Sequence, residues 1–244
     1  NYIKRLKVPR LIIEAILILG SVYFALILEA DRSKDFEREN TLSELKSLQT
    51  ALEFEERLLS KYVSSPEDHM FDNNSRFKIN SRKKSTAINL IESKNHDSLL
   101  FAYDFFESDP LFYELNKKPV ELIQLIGNHW NLIIVDSLKI NLKQLSAKYD
   151  DFYEHFNEYE YNRKELNKIL NLEYGIRNVN DKSDTTEIVN MMNSKYTMYF
   201  LTQQEHLCNL IDKRGRDLRF IIYETGLYIQ KEIQAQEEAM KGIF

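Results

Sequence analysis

The side chains that most often perform catalysis or bind metals are few and scattered in this sequence. No two of its 5 histidines fall within one helical turn: His69, His96, His129, His155 and His206. Cys208 is the only cysteine, so the chain can form no internal disulfide and no multi-cysteine zinc site. We expect Cys208 to be a small buried residue within a helix, because free cysteine is among the most buried residue types.

Short catalytic motifs are absent from the sequence. It contains no HExxH, CxxC or GxSxG pattern, and its 6 scattered glycines form no phosphate-binding loop. His155 lies between Glu154 and Glu158, a spacing that could suggest metal ligands, but this part of the chain is rich in acidic residues throughout. The sequence therefore predicts a protein that is not an enzyme, with no catalytic residue, no metal site and no cofactor.

A small basic patch is formed by Arg214-Gly215-Arg216 together with Arg219. We interpret it as a solvated helix face; the alternative is contact with an anionic partner or with a membrane surface. The remaining lysines and arginines are spread along the chain, and the net charge is −5. Because nucleic-acid-binding proteins carry a basic stripe or patch over one face, we expect no nucleic-acid partner.

The elements that must position these residues are predicted to be helices. The chain of 244 residues has only 6 Gly and 4 Pro, which argues against turn-rich sandwiches and barrels. No segment shows the alternation of a strand. The predicted fold class is all-α, with an N-terminal transmembrane helix that continues into an extracytoplasmic antiparallel helical bundle.

The segment 11–28 is predicted to cross a membrane. Its only charged residue is Glu14, and as a helix it is about 27 Å long, close to the thickness of the apolar layer of a bilayer. The basic segment 1–10 precedes it, so the positive-inside rule places the N-terminus in the cytoplasm and residues 29–244 outside. A cleaved signal peptide is the alternative, but its apolar core is usually only ~7–15 residues long. A buried core helix is a third interpretation.

A narrow stripe on this segment is predicted to contact another helix within the membrane. At about 100° per residue, Glu14, Ser21 and Ala25 fall within about 40° of one another, and Gly20 beside them is included in the predicted contact. Small and polar residues are typical of contacts between membrane helices. The expected partners are the lipid bilayer and either other membrane subunits or a second copy of this chain. In the alternative interpretation, Glu14 only extends toward Arg10 at the cytoplasmic edge.

The extracytoplasmic part is predicted to begin with a juxtamembrane helix, 29–62, followed by a polar loop, 63–84, and a helical bundle, 85–244. Leu45, Leu48, Leu52, Leu59 and Tyr62 mark the inner face of the first helix, and Glu55 falls within that face. Later helix starts are predicted at Asp97 or Ser98, at Asp109-Pro110, at Pro119 and at Asp184, where Glu187 completes a capping box for the last helix. Gly127 predicts a stop, and Trp130 a buried connection.

The clearest periodicity predicts the core of the bundle. Large apolar residues recur at spacings of four and three, and they are Leu138, Leu142, Leu145, Tyr149, Phe152, Phe156 and Tyr159. Leu166 and Leu170 extend this series toward a helix end near Gly175. On the last helix the series is Leu207, Ile211, Leu218, Ile221 and Tyr228, with Arg214 and Thr225 at intervening positions.

Several short motifs follow one another along residues 10–160. They are Glu14, Gly20, Leu28-Glu29-Ala30-Asp31-Arg32, Phe112-Tyr113-Glu114-Leu115, Pro119, Asn131-Leu132-Ile133 and the run from Leu138 to Tyr149. This order resembles an uncharacterised family of single-span inner-membrane proteins of Bacteroidetes-type bacteria, from whose pattern Trp130 departs. The resemblance implies a single-pass protein of the bacterial inner membrane with a periplasmic domain. It implies no activity.

Two classes of function follow from these expectations. The favoured one is a membrane-anchored structural or interaction subunit, which is a scaffold or accessory component of a larger membrane complex or associates with itself. The alternative is a periplasmic sensor or small-ligand-binding module, because helical bundles often bind ligands between their helices. A sensor normally has a cytoplasmic signalling domain, and only about ten residues precede the apolar segment. An enzyme is a distant third possibility.

Overall fold

A computed structural model describes residues 2–63, 75–106, 116–174 and 185–241. Within these ranges the chain is all-α, as the sequence predicts, and contains no strand. The helices are α1 (Tyr2–Leu59), α2 (Arg76–Glu92), α3 (His96–Phe106), α4 (Lys118–Gly127), α5 (Asp136–Glu173), α6 (Thr185–Met192) and α7 (Lys195–Lys241), with one 3₁₀ turn at Trp130–Leu132.

Helix α1 is a continuous helix of 58 residues, about 87 Å long, only part of which packs against the rest of the chain. Every side chain from residue 14 to residue 36 is exposed, and the first buried one is Thr41. From there the inner face follows the predicted series and includes Leu45, Leu48 and Leu52. Within the part of the chain that the structure describes, no helix meets the combined requirements of length and apolarity for crossing a membrane.

Helices α5 and α7 form the long antiparallel pair at the centre of the bundle. Lys148 Nζ of α5 lies 3.2 Å from the Asp217 carboxylate of α7, and the backbone N–H of Val135, just before α5, donates to Glu232 near the other end of α7. Helix α1 is also antiparallel to α7, because Lys46 pairs with Glu237 at 2.9 Å and Glu56 pairs with Arg219 at 2.7 Å. The C-terminal end of α7 therefore lies beside the point where α1 enters the bundle.

The buried apolar side chains form two clusters along this pair. The inner tier, nearer to the free part of α1, contains side chains of α1 and α4, Phe77 at the start of α2, the series from Leu138 to Tyr159 on α5, and α7 from Leu207 to Ile229. The outer tier contains the second half of α2, α3, α6, Leu166 near the end of α5 and Leu201 near the start of α7. Helices α2, α5 and α7 contribute to both tiers, whereas α1 contributes only to the inner one.

The predicted core series on α5 lies inside the inner tier. All seven side chains from Leu138 to Tyr159 are at most 3% exposed. The rings of Phe152 and Phe156 stack with centroids 6.4 Å apart, and Phe77 of α2 meets Phe156 edge-on. Leu166 is buried in the outer tier, and the side chain of Leu170 lies outside the described residues. This series therefore packs against side chains of α2 and α7.

The prediction of a polar loop over 63–84 is wrong in its second half, because α2 begins at Arg76. The Ser75 side chain caps the helix by accepting from the backbone N–H of Lys78 at 3.1 Å. Apolar periodicity could not reveal this helix, since three of the first four residues on its buried face, Asn80, Ser81 and Lys84, are polar and only Phe77 is apolar.

Two further helix boundaries differ from the predictions. Helix α3 begins at His96, and its first turn is capped by the Asn95 carboxamide, which accepts from the N–H of Asp97 at 3.0 Å; neither Asp97 nor Ser98 is the cap. The last helix is interrupted, with α6 ending at Met192 and α7 beginning at Lys195. The predicted starts at Asp109-Pro110 and Asp184, and the stop at Gly175, lie outside the described residues.

Two expectations about the packing also need correction. On α7 the inner position is occupied by Gly215 and not by Arg214, which is partly exposed. A Cβ atom on Gly215 would lie only 2.5 Å from Val63 Cγ2, so the glycine permits a close approach of α7 to the end of α1. Trp130 is only half-buried; Ile133 is the residue of this connection that enters the core.

Candidate functional site

Each arginine of the basic patch on α7 pairs with a carboxylate, either on a neighbouring helix or on α7 itself. Arg214 Nε lies 3.2 Å from Asp151, Arg216 Nε lies 3.6 Å from Asp212, and Arg219 pairs with Glu56. Arg219 also donates to the carbonyl of Val63 at 3.1 Å. Arg214 connects α7 to α5 and Arg219 connects it to α1, so the patch is less available to an anionic partner than its sequence suggests.

The residues considered for metal binding form no ligand cluster in the structure. His155 Nε2 lies 3.4 Å from Asp151, whose carboxylate also pairs with Arg214. Glu158 is farther away, at 3.9 Å from Nδ1. Among the described residues, no group of three or more His, Cys, Asp or Glu side chains could hold a metal ion.

The free part of α1 presents a long apolar surface. Between Ile16 and Leu28 the large apolar side chains are 40–69% exposed, and none of them belongs to the buried clusters that the described residues form. The Ser21 hydroxyl donates to the carbonyl of Ile18 at 2.8 Å, so this polar group is satisfied within its own helix. Such a surface buries its apolar area only against lipid or against another chain.

Three of the four residues in the predicted membrane contact share one face of α1. Glu14, Ser21 and Ala25 lie on one face of α1, within about 40° of one another. Gly20 lies about 120° from Glu14 around the same helix, so it does not belong to that face. The remaining stripe is on the side of α1 opposite to the face that enters the bundle core.

An open groove lies between α5 and α7 in the inner tier. Its volume is about 730 Å³, and its lining includes Ala147, Lys148, Asp217, Phe220 and Glu224. Phe220 is 51% exposed, and Tyr223 and Leu227 continue an exposed apolar line along α7. The groove offers apolar contact area beside the ion pair of Lys148 and Asp217. The sequence feature that could have indicated this surface is the helical spacing of Phe220, Tyr223 and Leu227, which do not belong to the core series of α7.

Buried carboxylates stabilise the bundle at two places. Glu232 accepts from the N–H groups of Ile134 and Val135, at 2.9 Å and 2.6 Å, and from the Gln236 side chain, at 2.7 Å. It thereby caps the start of α5 from α7. Glu55 is fully buried near Tyr149, and burial together with this negative charge raises the pKa of that phenol. Their surroundings indicate structural roles.

The Cys208 thiol is buried between α2, α5 and α7. Burial is the main reason why its pKa is raised to about 12, and the positive charge of Lys84 only partly opposes this effect. A thiol with such a high pKa carries almost no thiolate at neutral pH and is therefore a poor nucleophile. The expectation that Cys208 is a buried helical residue is confirmed.

We expect the protein to lose stability at alkaline pH. In the folded chain burial raises the pKa values of Cys208, Tyr149 and Tyr153, so folding disfavours their anions. Their contribution is fully present below the unfolded pKa values, about 8.5 for Cys and 10 for Tyr, and is lost as pH rises above them. Urea unfolding between pH 7 and 11 should show a loss of up to about 1.4 kcal/mol per pH unit for each such group.

The variant Tyr149→Phe removes one of these groups and should reduce the loss of unfolding free energy at alkaline pH. The exposed Tyr161 provides the matched control, and Tyr161→Phe should leave the pH profile unchanged. A free energy of unfolding that stays constant up to pH 11 in the parent chain would contradict the expectation.

Comparisons with known proteins identify no relative of this chain: no protein-family model, no curated protein and no solved structure matches it. The functional argument therefore depends on the surfaces described above.

Proposed function

We propose that this protein is a membrane-anchored interaction subunit, with a single span at 11–28 that joins a helical periplasmic domain to a larger membrane assembly. The observation that carries the proposal is the exposed apolar surface of α1 between Ile16 and Leu28. The proposed span, 11–28, includes Glu14, which is the first residue whose side chain the structure describes. Over its whole length it contains one charge.

The charges that flank the segment support the orientation. Four basic residues precede it, and they are Lys4, Arg5, Lys7 and Arg10. By the positive-inside rule, this end stays in the cytoplasm and the bundle is exported. The resemblance to inner-membrane proteins of Bacteroidetes-type bacteria supports the same topology and makes the periplasm the expected compartment of the bundle.

A topology reporter tests the anchor. An enzyme that is active only outside the cytoplasm, fused after Phe244, is expected to be active, and the same enzyme fused before Lys4 is expected to be inactive. The chain should also remain uncleaved and resist extraction by alkaline carbonate. An inactive C-terminal fusion, or a mature chain that begins near Asp31, would contradict the proposal.

Within this proposal, the face of Glu14, Ser21 and Ala25 contacts a partner helix in the membrane. A carboxylate in the span is costly in lipid, and a neighbouring helix can supply the polar contact that lipid lacks. Ser21→Leu and Ala25→Leu raise apolarity, so both variants should insert normally but lose co-purifying partners, because bulky side chains separate the helices. Membrane co-purification and cysteine crosslinking measure this loss.

The control for these variants is Leu19→Ala, since Leu19 lies about 140° from Glu14 around the helix. It should keep all partners. If both bulky variants also retain their full set of partners, the stripe is incidental, and Glu14 only extends toward the cytoplasmic edge of the membrane.

A second candidate function is the binding of a small ligand, which the groove between α5 and α7 favours. Its volume of about 730 Å³ suits a small organic molecule, and it combines the Phe220 ring with charged side chains at its rim. Native mass spectrometry of the protein purified from membranes should detect a bound mass that Ala147→Trp removes. The exposed Phe54 lies on α1, away from the groove, so Phe54→Trp is the control. No bound mass in the parent protein would exclude this candidate.

A further inference from the structure

The two apolar clusters are separated by a layer in which every buried side chain that the structure describes is polar. Helix α2 contributes Asn80, Ser81 and Lys84, α5 contributes Asn162, and α7 contributes Gln204. Between Phe77 and Ala87, between Tyr159 and Leu166, and between Leu201 and Leu207, these helices bury no other side chain. We refer to these five residues as the polar layer.

The three helices meet at this level. Ser75 at the start of α2 donates to Asp212 of α7 at 2.7 Å, and the charge of Lys84, further along α2, acts on Cys208 of α7. Helix α2 is therefore antiparallel to α7, so Asn80 and Lys84 face the region of Gln204. On α5, Tyr159 meets Phe77 edge-on, which places Asn162 one turn farther along at the same level.

This layer weakens the connection between the tiers. Apolar burial supplies most of the free energy that holds helices together, and at this level the interior supplies little of it. Asn80 Nδ2, Asn162 Oδ1 and Gln204 Oε1 are buried and have no hydrogen-bond partner among the described residues. An unpaired buried polar atom costs roughly 1–3 kcal/mol, and that cost is relieved when the layer opens to water.

The outer tier is also the smaller of the two. Among the described residues it has 10 buried apolar side chains, against 26 in the inner tier. A part of a protein with fewer buried apolar contacts opens at a lower free energy than the rest. We propose that the outer tier opens as a unit along the polar layer while the inner tier stays folded on α1.

The opening would expose buried surface of the second half of α2, of α3 and of α6. Ala87 lies in the outer cluster and Ala51 in the inner cluster, and both are buried on helices. Each can be replaced by cysteine in a Cys208→Ala background, which gives one buried thiol in each tier. Such a thiol reacts with a water-soluble disulfide reagent only when its surroundings open.

The experiment measures the labelling rate of both full-length variants in mild detergent as urea increases. At low urea, the cysteine at position 87 is expected to label about 100-fold faster than the cysteine at 51, with a weaker urea dependence, as sub-global opening requires. Labelling at position 51 should follow global unfolding, measured by circular dichroism. Equal rates and equal urea dependences at the two positions would overturn the proposal.

Adding Lys84→Met to both variants tests the polar layer itself. Methionine keeps much of the length of the lysine side chain but is apolar, so it should join the two clusters and slow labelling at position 87 by at least about tenfold. The exposed Lys94→Met, just beyond α2, is the control and should leave both rates unchanged. Circular dichroism confirms that each variant folds. If folded Lys84→Met leaves the ratio of the two rates unchanged, the layer does not divide the tiers.

Discussion

Replacing Phe152 with alanine is expected to lower the free energy of unfolding by about 3–5 kcal/mol, because the change removes a fully buried ring and leaves a cavity. Phe152 stacks on Phe156 and lies within 3.2 Å of the position that a Cβ atom of Gly215 would occupy, so it packs where α5 and α7 approach most closely. Urea unfolding of the full-length chain in mild detergent, followed by circular dichroism, measures the loss.

Phe54→Ala is the matched control for this prediction, since Phe54 is a phenylalanine on α1 with 56% exposure. Its effect should stay within about 0.5 kcal/mol, as is usual for surface substitutions. An equal effect of the two substitutions, or no effect of Phe152→Ala, would show that this core series does not carry the stability of the bundle.

Replacing Glu232 with alanine is expected to cost about 2–4 kcal/mol. The carboxylate accepts from the N–H groups of Ile134 and Val135 and from Gln236, and these donors would lose a charged acceptor in a buried place. Glu232→Gln should fall between alanine and the parent, because the amide oxygen retains part of the accepting capacity. Amide exchange at Val135 should accelerate in the alanine variant before global unfolding occurs.

The control for Glu232 is Glu238→Ala. Glu238 accepts only from the neighbouring Gln234 within the same helix, at an exposed position, so its loss should have little effect. If Glu232→Ala is as mild as Glu238→Ala, water replaces the carboxylate at the start of α5, and the cap contributes little.

The sequence predicted those elements whose inner face is continuously apolar. The series from Leu138 to Tyr159 lies in the interior because large apolar residues spaced by four and three all fall on one face of a helix, and that face is buried. The first half of α2 was missed for the opposite reason, since Asn80, Ser81 and Lys84 face inward there. Burial of polar residues depends on partners from distant parts of the chain, and periodicity does not report it.

The candidate surfaces also differ in how far the sequence alone could predict them. The exposed apolar part of α1 follows from one uninterrupted run of the sequence. The groove between α5 and α7 depends on how α7 is rotated, and in the structure Gly215 faces Val63 at the inner position where Arg214 was expected. The pairing of Arg214 with Asp151 and of Arg219 with Glu56 likewise requires the tertiary structure.

The antiparallel return of α7 has a mechanical consequence. The point where α1 enters the bundle and the C-terminal end of α7 lie at the same pole, joined by the contact between Lys46 and Glu237. Tension between the free part of α1 and the end of α7 would therefore separate the two helices progressively, starting at that pole. The Lys46–Glu237 pair would break first and the Glu56–Arg219 pair later, each at low force, because the load acts on one turn at a time.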